Sequence, residues 1–273
     1  MTYTCVSFHT RQEAEKNVLI AILTDFGFES FEEGNSELRA FVKKDDLDIK
    51  QMQTRLEEYG LEGVKFDFVD IAHQNWNAQW ESSFQPVIIA KSIGIRAPFH
   101  QPLHTKIEMV IEPKMSFGTG HHQTTALMAE AMLHTDLQDK RVLDFGSGTG
   151  ILSILAERLG AAEILAIDHE QWAFENCIEN AQRNNCNKIT SVLGDDHYEF
   201  GGTYDVILAN VNKKVIVPNF SKWIKLLAPN GVLLISGILV TDEQDIHQAA
   251  QLAGWRFSER LERDGWLAIR FLK

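Results

Sequence analysis

Over residues 3–9 polar and apolar positions alternate with a period of two, Tyr3, Cys5, Ser7 and His9 on one side and Thr4, Val6 and Phe8 on the other. That period predicts a strand. Ala14, Val18, Leu19, Ile22 and Leu23 then recur at helical spacing. Residues 28–33 and 38–43 read as short strands around the turn pair Gly34-Asn35, a second helix runs from Asp45 through Met52 and Leu56 to Tyr59, and residues 64–71 close the set as a strand. The order β-α-β-β-α-β is that of the ferredoxin-like split unit.

Residues 73–83 follow neither period. Trp76 and Trp80 stand four apart in a polar stretch, which places both indoles on one side of a short helix, either packing a joint between domains or meeting a substrate. From Val87 onward strands and helices alternate. Residues 141–146, 164–168, 189–194, 205–210 and 231–237 each read as a buried strand, and residues 150–159, 170–183, 215–227 and 243–252 fill the gaps with helical periodicity. Such alternation predicts a parallel, doubly wound sheet. The tail departs from it, because residues 256–263 and 266–272 flank Asp264-Gly265, a hairpin signal that ends a parallel sheet with an antiparallel pair. The expected organisation is an N-terminal α+β domain over residues 1–72, a linker helix and connector over 73–90, and a Rossmann-like α/β domain over 91–273.

At 273 residues, two domains fit better than one or three. Hydrophobic residues at 44% and charged residues at 23% exclude a disordered or low-complexity chain. The net charge of −12 argues against a broad nucleic-acid or anionic-membrane surface. Through Glu81 there are 8 basic and 16 acidic residues, so the first third carries −8 of the −12. Such a surface suits a basic partner and also serves solubility alone. Three cysteines, Cys5, Cys177 and Cys186, lack the spacing of a disulfide framework or a zinc site. With no signal-like N-terminus and no long apolar run, a soluble cytoplasmic protein is expected.

The sharpest chemistry lies at residues 142–150, where an apolar strand runs into Gly146, Gly148 and Gly150 and then an amphipathic helix. Glycines let a ligand approach the backbone closely. A dinucleotide site wants GxGxxG, whereas the spacing here is GxGxG, with Asp144 at the strand end. A carboxylate there repels pyrophosphate but suits the positive end of S-adenosylmethionine. Asp168 ends the next strand, where its carboxylate accepts hydrogen bonds from ribose hydroxyls unless it merely caps a helix. Asp195 and Asp196, after the third strand, are expected near an adenine. Asn210 ends the fourth strand, its carbonyl placed to accept from an amine near the methyl group.

Upstream, residues 111–125 contain Phe117-Gly118-Thr119-Gly120-His121-His122-Gln123-Thr124-Thr125, a stretch without period. Together with the Trp76 to Trp80 connector, the DFGSGTG turn, Asp168, the Ala209-Asn210 pair and the LISGIL run at 234–239, it resembles the ribosomal protein L11 methyltransferase family over essentially everything from residue 75 onward. The resemblance implies a class I, Rossmann-like S-adenosylmethionine-dependent protein methyltransferase. Its acceptors are amino groups, the N-terminal α-amine and lysine ε-amines, of a large-subunit ribosomal protein gripped by the N-terminal domain. It further implies that Thr125, Gly146, Gly148, Asp168 and Asn210 bind the cofactor, with Phe117, Gly118 and Thr119 folding over it and Asn210 at the methyl transfer. One departure stands out, since the family's aliphatic pair after Asn210 is replaced by Val211-Asn212-Lys213-Lys214. No Asn-Pro-Pro-Tyr marks the strand tip, which disfavours methylation of amide or exocyclic base nitrogens. Adjacent His121 and His122 without a carboxylate at ligand spacing are read as loop polar groups, and no metal is expected. Alternatives remain: a methyltransferase of another protein or a small molecule, a nicotinamide oxidoreductase, or a non-catalytic ribosome assembly factor.

Overall fold

The computed structural model describes residues 3–71, 84–114 and 117–273, so Trp76 and Trp80 lie outside the described residues. The chain divides into two compact units, one within residues 1–83 and the other over 84–273.

In the first unit β1 (Tyr3–His9), α1 (Glu13–Asp25), β2 (Ser30–Glu33), β3 (Leu38–Lys43), α2 (Ile49–Glu58) and β4 (Lys65–Ile71) follow the order that the periods predict. Their strands form one antiparallel sheet, β2-β3-β1-β4. Val6, Phe8, Leu38, Ala40 and Val42 point to a core shared with Leu19 and Leu23 of α1 and Met52 and Leu56 of α2, so both helices cover one face. The second helix starts later than its pattern suggests. Asp48 accepts the Gln51 amide at 3.0 Å, and this cap fixes the first turn at Ile49, leaving Lys44–Asp46 as a 3-10 turn.

The second unit opens with β5 (Val87–Ile89), β6 (Ile93–Arg96) and β7 (Ile107–Val110), a small sheet that the sequence reading did not separate. Residues 87–89, assigned to the connector from sequence, are thus a strand of this unit. Then follow α3 (Gln123–Leu133), β8 (Arg141–Phe145), α4 (Ile151–Arg158), β9 (Glu163–Asp168), α5 (Gln171–Arg183), β10 (Ile189–Leu193), β11 (Tyr204–Asn210), α6 (Lys213–Leu226), β12 (Leu227–Leu239), α7 (Glu243–Leu252), β13 (Arg256–Arg263) and β14 (Trp266–Leu272). Seven of the strands make one sheet in the order β10-β9-β8-β11-β12-β14-β13. The first five are parallel, while β14 runs antiparallel to both neighbours. Asp264 and Gly265 both take positive φ, as a two-residue hairpin turn demands, and they return β14 into the slot between β12 and β13.

Strand parity divides the core. Val142, Ile164, Val206, Leu208 and Leu234 pack with α3 and α4, whereas Leu143, Phe145, Ile207, Ala209, Leu233 and Ile235 pack with α6 and α7. Apolar residues on both faces are what a sheet covered on both sides requires. At β8 the strand order reverses, with β9 and β10 on one side and β11 and β12 on the other. A crevice opens beyond the carboxyl ends of strands at such a reversal.

Candidate functional site

The turn after β8 is where the chain has least freedom. Amides of Gly146 and Ser147 both donate to the Ile167 carbonyl, at 2.8 and 3.0 Å, and the Gly148 amide donates to Asp168 Oδ2 at 2.8 Å. Strand β9 therefore holds the turn in place. Gly148 has a φ of +55°, and a Cβ there would drive into the Phe117 carbonyl oxygen. Only glycine combines that conformation with that approach.

Asp168 is 9% exposed. Oδ1 accepts the Glu170 amide at 3.1 Å, so each carboxylate oxygen takes one backbone hydrogen and keeps a lone pair free. Asp144 behaves otherwise than its position at the strand end suggested. It is 1% exposed and accepts the Ser153 hydroxyl at 2.6 Å, on the face covered by α4 and away from the crevice. Burial pushes its carboxyl up to about 7, opposed by the Ser153 hydrogen bond and reinforced by the charge of Asp168. Asp144 is not among the residues that line the cleft, so the ligand contact expected of it from sequence is not direct.

Asn210, at the tip of β11, points its Nδ2 at Thr125 Oγ1, 3.5 Å away, while its Oδ1 is buried without a partner. A buried acceptor left open is costly unless a ligand fills it. Phe117, Gly146, Gly148, Asp168 and Asn210 all line one cleft of about 630 Å³, a volume in the range of cofactor sites. Asp195 and Asp196 also line it. Gly118, Thr119 and Thr125 do not line it. Thr125 is fully buried and reaches the cleft through Asn210, Thr119 faces His121 at 3.2 Å, and Gly118 is buried behind Phe117. His122 caps α3 by accepting the Thr124 amide at 3.3 Å, and His121 pairs with the Gln85 carbonyl at 2.8 Å, so both histidines are committed to loop contacts. Sequence reading missed Glu170, Trp172 and Lys214, which also line the cleft. Their signal was positional, since each falls within four residues after a strand tip.

The residues present suit S-adenosylmethionine. Asp168 keeps acceptor capacity for ribose hydroxyls, the carboxylates favour a cation over a pyrophosphate, and the open acceptor on Asn210 stands where β11 ends. Fold and cleft together define a methyltransferase of the S-adenosylmethionine-dependent, doubly wound class. The chain belongs to the family described as ribosomal protein L11 methyltransferase (PrmA), which matches residues 3–273. It is 34% identical to a ribosomal protein L11 methyltransferase of Bacteroides thetaiotaomicron, with 99% of each chain covered. To a protein of the same description from Porphyromonas gingivalis it is 38% identical, over 95% of this chain and 91% of that one. A solved structure described as ribosomal protein L11 methylase, from Lactobacillus delbrueckii subsp. bulgaricus, superposes with a TM-score of 0.65 at 24% identity, covering 69% of this chain and 98% of that one, and bears on the fold alone.

Proposed function

We propose that this enzyme transfers methyl groups from S-adenosylmethionine to amino groups of ribosomal protein L11, its N-terminal α-amine and lysine ε-amines. The observation that carries the reading is the partnerless, buried Oδ1 of Asn210 at the cleft. An amine nitrogen presenting N–H to that oxygen has its lone pair turned away from Asn210. When bound, the cofactor supplies an electrophilic methyl on a sulfonium. Everything else falls to the chain: Asp168 and the glycine turn hold the ribose, Phe117 walls the cleft, and Asn210 orients the acceptor so that little beyond alignment is needed. The acceptor must enter as a free amine, because an ammonium has no lone pair. Its proton leaves to water, and no side chain is assigned as base.

The charge expected of the substrate suits the first unit. Its antiparallel order β2-β3-β1-β4 with two helices on one face supports a ferredoxin-like platform, and its excess of acidic residues suits a basic ribosomal protein. Charge of this kind speeds encounter more than it sets affinity. The Trp76 and Trp80 stretch as joint between the two units belongs to the same reading. No helix among the described residues is long and apolar enough to cross a membrane. A cytoplasmic enzyme that contacts protein belongs to the same reading, and the net charge of −12 supports its not contacting nucleic acid.

The test is mass spectrometry of large-subunit ribosomal proteins incubated with the enzyme and isotopically labelled S-adenosylmethionine. Methyl increments on L11, placed at its N-terminus and lysines, are expected. Label on another protein or a small molecule instead would move the substrate assignment. Cofactor binding without any label would favour a non-catalytic assembly factor.

A further inference from the structure

Thr149 is fully buried inside the glycine turn, yet all its polar groups are engaged with other parts of the chain. Its amide donates to the Phe117 carbonyl at 3.0 Å, its hydroxyl donates to the Gly118 carbonyl at 2.7 Å, and its own carbonyl accepts Asn180 Nδ2 at 3.0 Å. Asn180, from α5, also accepts the Glu112 amide at 2.9 Å through Oδ1. The stretch that carries Phe117 is therefore anchored at two points, at Glu112 by Asn180 and at Phe117–Gly118 by Thr149. Gly118 fits this approach, with a φ of +105° and a position where a Cβ would lie 2.7 Å from Thr149 Oγ1. Phe117 itself, 54% exposed, forms cleft wall, and its ring neighbour among the described residues is His122, at 5.2 Å between centroids.

We infer that Thr149 is a positioning residue for cofactor binding: by bonding two successive carbonyls it presents the Phe117 ring to the cleft. Among the described residues Phe117 is more than half exposed, so its place rests chiefly on its backbone. That backbone is held by a side chain 31 residues from Gly118 in sequence. Removing the hydroxyl while keeping the shape leaves a buried carbonyl without its donor, and the local remedy is for the carbonyl to turn toward water, which moves Phe117 with it. The inference rests on S-adenosylmethionine as cofactor and not on the identity of the methyl acceptor.

The experiment is calorimetric titration of S-adenosylhomocysteine into the full chain, with amide hydrogen exchange over residues 117–121. Thr149→Val is expected to bind about tenfold or more weakly, as loss of a buried hydrogen bond implies. Its exchange at 117–121 should quicken, with a modest fall in melting temperature. Thr149→Ser keeps the hydroxyl and should restore both affinity and protection. Phe117→Ala added to Thr149→Val should cost less than the sum of the two, because one acts through the other. Wild-type affinity in Thr149→Val overturns the inference, and so does equal loss in Val and Ser, which would mark a packing role. Additivity with Phe117→Ala overturns it too. If Thr149→Val does not fold, Gly118→Ala perturbs the same contact from the other strand of chain, and an unchanged affinity there overturns it equally. Failure of the wild type to bind would strike the cofactor assignment instead.

Discussion

Gly148 and Asp168 are joined by a hydrogen bond from the glycine's amide to the carboxylate's Oδ2 at 2.8 Å, which ties the tip of β9 to the turn after β8. One side chain thus shapes the turn and faces the cleft. Asp168→Ala leaves the Gly148 amide without an acceptor, at about 1–3 kcal/mol, and also removes the proposed ribose acceptor. A fall in denaturation midpoint and at least about tenfold weaker S-adenosylhomocysteine binding are expected. Asp168→Asn keeps one oxygen and should recover more stability than affinity. Calorimetry on both variants checks this, and undiminished affinity in the alanine variant would contradict it.

Asn210 offers a different separation. Its Oδ1 has no partner among the described residues, so removing it costs the fold little, while on the proposed function the acceptor amine loses its guide. For Asn210→Ala, kcat should fall by about a hundredfold, in line with loss of one preorganised polar group, with cofactor affinity changed far less. Single-turnover methylation alongside a binding isotherm distinguishes the two; an unchanged rate would remove Asn210 from the reaction.

At Gly148 backbone and space act together. Gly148→Ala combines a φ of +55° with a Cβ directed into the Phe117 carbonyl, so the turn must distort. A stability loss of about 1–3 kcal/mol is expected, with cofactor binding lost along with it. Thermal unfolding with and without S-adenosylhomocysteine measures both, and a ligand-induced rise in melting temperature equal to that of the wild type would count against the prediction.

Asp144 makes stability depend on pH. Its folded-state pKa, raised to about 7 from 3.8 by burial, means the native state holds a proton that the unfolded chain has released. The stabilisation is complete below about pH 4 and is lost as pH rises through about 7. Asp144→Asn cannot ionise and still offers an oxygen to Ser153. Its stability should match the wild type near pH 4 and exceed it at pH 8, by an amount on the order of a few kcal/mol. Urea denaturation across that range is the check, and parallel curves would refute the assignment.

How much of this was legible in the sequence depends on the distance over which each feature is decided. Tyr3 to His9 and Asp264-Gly265 were plain, because a period of two and a turn pair are properties of adjacent residues. The start of α2 was misplaced because Asp45 and Asp48 both resemble caps, and only backbone geometry chose Asp48. Strands β5 to β7 went unseen because each is only three or four residues long, too short to show a period.

Sequence by itself determined the order of elements in the first unit and from β8 onward, the glycine turn, and the presence of Asp168 and Asn210 at strand tips, since all of these rest on local spacing. The tertiary structure decided which carboxylate serves the cleft. Asp144 shares strand parity with Val142 and turns under α4 to Ser153, whereas Asp168 stands at a strand end where the sheet reverses. It also brought the Thr149 hydroxyl to the Gly118 carbonyl and Thr125 to Asn210. Hydrogen bonds between residues 31 and 85 positions apart follow from how helices cross back over a sheet, and no spacing along the chain encodes them.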